Sequence, residues 1–255
     1  MTALTETLIL WRRNTLKTIR VPTVLFFALF QPLLFLFLFS QVFSSLANLP
    51  GFQYDSYLQF LVPSIVAFTA LNSAFSSGMQ TVTDMEDGML DKFLIDPIHR
   101  LSIMGGRILA DGTRITAQAL LIIGVSMLIG TNYATGVLGI FVITALAALF
   151  GMAWAGLSNI VALRTGNAEA TMIVGITITF PILFLSTAFM PELLLPDWLE
   201  VVAKFNPITY VIEAMRSLVN EGWVWEDILV ALLVILVLGA VLLTGAVRAF
   251  RKAVS

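Results

Sequence analysis

Residues 115–163 run for forty-nine consecutive positions without a charged side chain. A bilayer core about 30 Å thick takes roughly 20 apolar residues per helix, so this run holds two spans back to back. The GTNYATG patch at 130–136 predicts a tight hairpin between them. Four further charge-free intervals, 21–54, 56–83, 170–191 and 228–247, are each long enough for one helix. The chain therefore reads as an all-α, polytopic membrane protein with six transmembrane helices and little mass outside the bilayer. Apolar residues make up 58% of it, and the mean hydropathy is +0.94. Soluble domains average about 45–50% apolar, so lipid has to cover the excess. One membrane domain over residues 1–255 is the natural count.

The predicted spans are 22–43, 58–80, 115–129, 137–163, 171–190 and 228–247. Twelve basic residues fall on one side of these spans, from Arg12, Arg13, Lys17 and Arg20 to Arg248, Arg251 and Lys252. The other side holds two, Lys204 and Arg216. Basic residues concentrate on the cytoplasmic side, so both termini and the two even-numbered loops are expected there. Residues 1–20 lack the order of a secretory signal, in which basic residues come first and a cleavage site last. Leu4, Leu8, Trp11, Thr15 and Ile19 instead share one helical face, with the basic residues mostly off it. This predicts an amphipathic helix on the inner leaflet with Trp11 at headgroup level. It serves either as an anchor that fixes topology or as a lever on the first span.

Several chemistries have no residues to carry them. There is no G-x-x-x-x-G-K-[ST] phosphate loop, no cysteine, one histidine (His99), and no metal-ligand cluster. The predicted spans contain no ionisable residue, which argues against a proton or ion path. Whatever energy drives the protein then enters from outside the bilayer.

Two loops carry most of the information. The first, 81–114, is predicted to be cytoplasmic. It places Asp84, Glu86, Asp87 and Asp91 around the apolar Met89, Leu90, Phe93, Leu94 and Ile95. A short helix ending at Asp96, before Pro97, is either a solvated linker or a docking helix for a cytoplasmic partner. Gly105 and Gly106 follow, where backbones pack closely. Arg107, Asp111 and Arg114 then stand at spacings of four and three, as an interfacial ladder. The second loop, 191–227, is predicted to be external. Trp198, Trp223 and Trp225 suit a membrane–water interface. Asn206-Pro207 opens a short helix in which Glu213 and Arg216, three apart, can pair. We expect one or two short re-entrant helices between spans five and six, serving as a cap on the bundle, a gate over its outer mouth, or both.

At these residues the chain resembles the permease subunits of type-2 ABC exporters, above all the daunorubicin-resistance type. The run EDGMLDKFLIDPIHRLSIMGGRILAD matches that family's coupling stretch at Glu86, Gly88, Leu90, Phe93, Leu94, Pro97, Arg100 and Gly106. The run MPELLLPDWLEVVAKFNPITYVIEAMR matches its external signature at Pro191, Pro196, Trp198, Leu199, Asn206, Pro207, Thr209, Tyr210 and Arg216. One departure is the acidity of the first loop, which carries Asp84, Asp87, Asp91 and Asp96.

The resemblance implies a homodimer joined to two copies of a separate ATP-binding subunit. ATP and Mg would be bound there, and this chain would hold no cofactor and no ATPase site. Coupling would run through the amphipathic start and through Glu86, Gly88, Leu90, Asp91, Phe93, Leu94, Pro97 and Arg100. Trp198, Asn206, Pro207, Tyr210, Glu213 and Arg216 would form the external gate. Substrate would move outward from the cytoplasm or inner leaflet of a prokaryotic cell membrane. No nucleic-acid partner is implied. An energy-independent carrier or channel, or a non-transporting membrane scaffold, is the alternative class.

Polar residues within the spans supply path candidates. They are Gln31 in the first span, Asn72 and Ser76 beside Phe68 and Phe75 in the second, and Thr177 and Thr179 in the fifth. Such residues act as interhelical glue, or they line a path for a bulky amphipathic substrate.

Overall fold

The computed structural model describes residues 2–20, 22–50, 52–88 and 99–253. Those residues form nine α-helices and no strand. The helices are α1 (Ala3–Ile19), α2 (Pro22–Val42), α3 (Tyr57–Glu86), α4 (Arg100–Ile129) and α5 (Gly136–Thr165). They continue as α6 (Ala168–Phe184), α7 (Asp197–Lys204), α8 (Pro207–Asn220) and α9 (Trp225–Ala253). Four of them, α3, α4, α5 and α9, are long and apolar enough to cross a membrane. The helices at the first and fifth predicted spans are apolar but shorter, over Phe26–Val42 and Ala168–Phe184.

Local chemistry sets the boundaries. Ser56 caps α3 by accepting from the Gln59 N–H at 3.2 Å, which satisfies one of the orphan donors of the first turn. The expected hairpin is present: α4 stops at Gly130, whose φ of +115° a side chain would resist, and α5 opens at Gly136. Asn167 caps α6 by accepting from Ala170 N–H at 2.8 Å.

The structure corrects the sequence expectation at two places. Helix α6, at the fifth predicted span, ends at Phe184, not Met190. Ser186 bonds back to the Leu183 carbonyl, and Asn206 takes the carbonyls of Ile182 and Leu185, so the helical ladder is closed off by side chains. The loop expected at 81–114 is largely helical, because α3 continues to Glu86 and α4 begins at Arg100. The cause is ion pairing between helices, described below. The Trp11 indole N–H donates to Thr113 of α4 at 2.9 Å.

The bundle is organised around α3, whose Phe60, Leu61, Val66 and Leu71 are wholly buried among α5, α4, α6 and α8. Small residues bring backbones into contact. The Ser158 hydroxyl of α5 accepts the Gly78 N–H at 3.1 Å and donates to the Phe75 carbonyl at 3.0 Å. On the opposite side of α5, a Cβ on Gly156 would sit 2.7 Å from the Leu242 carbonyl carbon of α9. The outer surface of α9 is apolar, with Leu229, Leu233, Leu236, Val237 and Val241 exposed. A patch of that extent belongs against lipid.

The first helix lies along α4, with Glu6 and Leu10 turned inward. The close approach expected at Gly106 occurs here: a Cβ would meet Leu10 Cβ at 2.6 Å. Leu4, Leu8 and Ile19 stay exposed. The helix is amphipathic as expected, with one face on α4 and an apolar edge outward.

Candidate transport cleft, coupling end and outer cap

Four helices enclose a cleft of about 250 Å³. Gln31 enters it from α2, Asn72, Phe75 and Ser76 from α3, Gln118 from α4, and Met172 and Ile176 from α6. Four of the seven path candidates thus meet in one place. Phe68 does not line it: its ring stacks on Phe35 at 5.6 Å and meets Phe180 edge-on at 6.1 Å, joining α2, α3 and α6. Thr177 faces outward, and Thr179 is buried with an unbonded hydroxyl. Gln118 was not among the path candidates, which were drawn from the first, second and fifth spans. It is buried and accepts the Ser73 hydroxyl at 2.5 Å. A lone amide in a charge-free run was the available signal. The cleft presents amides and hydroxyls between aromatic and thioether walls, a lining suited to an amphipathic guest.

At the end of the bundle holding both chain termini, ionisable groups are paired across helices. Asp84 near the end of α3 accepts from Arg107 of α4 and from Lys17 of α1, the latter at 3.1 Å. Arg107 also donates to Thr81 at 2.6 Å, and Thr81 bonds Asn159 of α5 at 2.6 Å. Arg114 reaches the Ser73 carbonyl at 2.5 Å and pairs with Asp111 at 3.1 Å. The expected Arg107–Asp111–Arg114 ladder is therefore only half formed. Asp111 pairs with Arg114, while Arg107 turns across to α3. Buried charge persists when it is paired across helices, as Asp84 and Arg107 are, which lets α3 and α4 extend past the charge-free windows.

Helix α1 joins this end through Glu6, which accepts the His99 backbone N–H at 2.9 Å and approaches its Nδ1 at 3.1 Å. The His99 backbone bond, with help from the ring, holds the Glu6 carboxyl below its usual range. Among the coupling candidates, Glu86 ends α3 exposed, and Gly88 follows at φ +62°. Leu90, Asp91, Phe93, Leu94 and Pro97 lie outside the described residues, as does the expected helix ending at Asp96. Arg100 opens α4.

The opposite end is closed by α7 and α8, the two short helices expected from the sequence. Asn206 caps α8 by accepting from Ile208 N–H at 3.0 Å, with Pro207 in the first turn. Arg216 is 1% exposed. It pairs with Glu213 at 2.5 Å, as the spacing predicted, and also donates to Ser64, the Thr187 carbonyl and the Phe60 carbonyl. Glu213 accepts the Thr187 hydroxyl at 2.5 Å. Asn206, Glu213 and Arg216 thus tie α8 to α3 and to the turn after α6. Tyr210 instead bonds the Lys204 carbonyl at 2.6 Å, and Trp198 is exposed. Lys204 pairs with Glu200 at 2.5 Å and Glu192 at 3.4 Å, which raises its pKa. The α4–α5 hairpin docks on the same helix, through Thr135 to the Leu218 carbonyl and Ala134 N–H to the Val219 carbonyl.

Residues 5–220 match the ABC-2 type transporter family. A protein of Porphyra purpurea named as the transport permease ycf38 is 30% identical over 93% of this chain and 87% of its own length. The daunorubicin resistance ABC transporter permease protein DrrB1 of Streptomyces coeruleorubidus is 24% identical over 98% of this chain and 88% of its own. A Mycobacterium tuberculosis protein named as the doxorubicin resistance ABC transporter permease DrrC is 26% identical over 76% and 70%. The match begins in α1 and ends with α8, taking in the cleft, the coupling end and the outer cap. The chain belongs to the ABC-2 type transporter family, as a membrane permease subunit of an ABC exporter.

Proposed function

We propose that this permease moves an amphipathic, drug-like, lipid or glycan substrate outward, driven by two copies of a separate ATP-binding subunit on a permease homodimer. The observation that carries this reading is the cleft at Gln31, Asn72, Ser76 and Gln118. It combines hydrogen-bonding groups with apolar walls and contains no carboxylate or imidazole for proton coupling. At about 250 Å³ it falls just below the usual range for a small-molecule site, about 300–1,000 Å³. A second copy adding its own walls would complete it.

In this reading α2 and α6 cross the bilayer with α3, α4, α5 and α9, giving six spans. At about 1.5 Å per residue the 17 residues of α6 rise roughly 25 Å, and a short span is accommodated by local thinning of the bilayer. The twelve-to-two split of basic residues supports a cytoplasmic location for both termini and for the Asp84–Arg107 end; a prokaryotic cell membrane is what the resemblance implies. Residues 86–100 then face the ATP-binding subunit, and α1 transmits its motion through Lys17 and Glu6.

Reconstitution tests the proposal. The chain with its ATP-binding partner in liposomes should show ATP-dependent export and substrate-stimulated hydrolysis. Saturable transport by the chain alone would establish the carrier alternative instead. Orientation is read separately from cysteines placed at Asn132 and Asp197 in this cysteine-free chain. Both should react with an impermeant maleimide in intact cells, and reaction only after permeabilisation would invert the topology.

A further inference from the structure

The arginines at the Asp84 end fall into two groups. Arg107 and Arg114 are shielded and paired. Arg164 and Arg248 are exposed, and neither meets a carboxylate among the described residues. They flank a cleft of about 650 Å³ between the last turns of α5 and α9, with Gly245 and Ala249 in its walls and Lys252 beside them. Just inside, the helices cross tightly: a Cβ on Gly245 would approach Ile160 Cδ1 to 2.8 Å. The cleft lies just past this contact, toward the ends of both helices.

Its depth matches a lipid headgroup. Trp225 and Arg248 are separated by about 35 Å along α9 at 1.5 Å per residue, and a hydrocarbon core is about 30 Å thick. Leu233, Val237 and Val241 are exposed and stand four apart on one face of α9, leading toward Arg248. A helix C-terminus attracts cations by its dipole alone, which accounts for basic residues in these turns. It does not account for a cleft between two unpaired guanidinium groups at the head of an exposed apolar stripe. Arginine presents a planar fork matched to phosphate oxygens, and basic pockets between spans suit anionic headgroups.

We propose that this cleft binds the phosphate headgroup of an anionic phospholipid, held between Arg164 and Arg248 with an acyl chain along Leu233, Val237 and Val241. The inference rests on α5 and α9 as membrane spans and not on the export reading, so transport can fail while the lipid site stands.

The test is native mass spectrometry of the full chain released from nanodiscs of mixed phosphatidylglycerol and phosphatidylcholine. Wild-type protein should retain phosphatidylglycerol preferentially. The double variant R164Q/R248Q should lose that retention by about 30-fold, from roughly fivefold per basic residue near the surface. R164K/R248K, which keeps the charge, should retain most of it. The control R12Q, on α1, should change little. Absence of preference in the wild type would overturn the proposal, and so would a loss of about fivefold in R12Q, half of the double variant's free-energy change, since retention would then follow total charge. Displacement by soluble glycerol phosphate would reassign the cleft to a free phosphate. Displacement on adding the ATP-binding subunit would reassign it to the protein interface.

Discussion

The Arg216 guanidinium lies over the face of Phe60, with its central carbon 3.8 Å from the ring centroid. The same arginine donates to the Phe60 carbonyl, Ser64, Thr187 and Glu213, so one side chain on α8 fastens three parts of the bundle. Arg216→Ala would leave these acceptors unpaired, each at a cost of about 1–3 kcal/mol when buried. The expected loss is roughly 2–4 kcal/mol. Glu213→Gln, at a partly exposed position, should lose under about 1 kcal/mol. Thermal unfolding of both variants in one detergent decides it. Equal midpoints would show that the ion pair, not the buried donor set, holds the cap.

Asp84 offers the matching contrast at the other end. Its partner Arg107 is shielded and Lys17 is half exposed, with side-chain exposures of 12% and 49%. Removing one member of a buried pair costs about 3–5 kcal/mol, so Asp84→Ala should destabilise strongly. Lys17→Gln should cost under about 1 kcal/mol while loosening α1. Hydrogen exchange would read this as faster exchange in α1 with α3 unchanged. Unchanged α1 in Lys17→Gln would remove this ion pair from the coupling route.

In the docking stretch, apolar anchors should outweigh charge. Burying Phe93 in a partner groove is worth roughly 1.5–3 kcal/mol, whereas an exposed Asp91 pair is worth about 0–1 kcal/mol. Phe93→Ala should weaken co-purification with the ATP-binding subunit and lower stimulated hydrolysis at normal expression. Asp91→Asn should do much less. Intact assembly in Phe93→Ala would return the stretch to a solvated linker.

The cleft separates path from glue by stability. The Asn72 amide makes no hydrogen bond among the described residues, whereas Gln118 holds Ser73 at 2.5 Å. Asn72→Leu should therefore leave the unfolding midpoint within about 0.5 kcal/mol of wild type. It should raise the substrate concentration for half-stimulated hydrolysis by about tenfold, the weight of one lost polar contact. Unaltered substrate dependence would place the path elsewhere.

Acidification should release α1. The Glu6 carboxyl is held below the ordinary glutamate range, chiefly by the His99 backbone N–H. A depressed folded pKa contributes stability above the unfolded pKa and loses it as pH falls through the folded one. Contact between α1 and the start of α4 should hold at pH 5–7 and weaken below about pH 4.5. A fluorophore on α1 quenched from residue 103 would report it. A Glu6→Gln variant should be flat across that range, and a wild type equally flat would remove Glu6 from the contact.

Much of the helix order was legible from charge alone. The hairpin at Gly130, the Asn206-Pro207 start of α8 and the Glu213–Arg216 pair follow from rules acting within one turn. The extension of α3 to Glu86 and of α4 back to Arg100 did not, because Asp84 and Arg107 look like loop residues until each finds the other across two helices. The cleft was half legible. Gln31, Asn72, Phe75 and Ser76 were chosen as polar or aromatic residues in apolar runs, but Phe68 and Thr177 met the same criterion. Only tertiary packing separates a residue that lines a space from one that fills it.

The Gly78–Ser158 contact also limits how the molecule can move. Where backbones touch through a hydroxyl and a missing side chain, no soft layer remains to absorb rotation or sliding. With Gly156 pressed on α9 from the other side of α5, three helices form a stator. Helices α2 and α6 stand outside it and meet α3 through the rings of Phe35, Phe68 and Phe180.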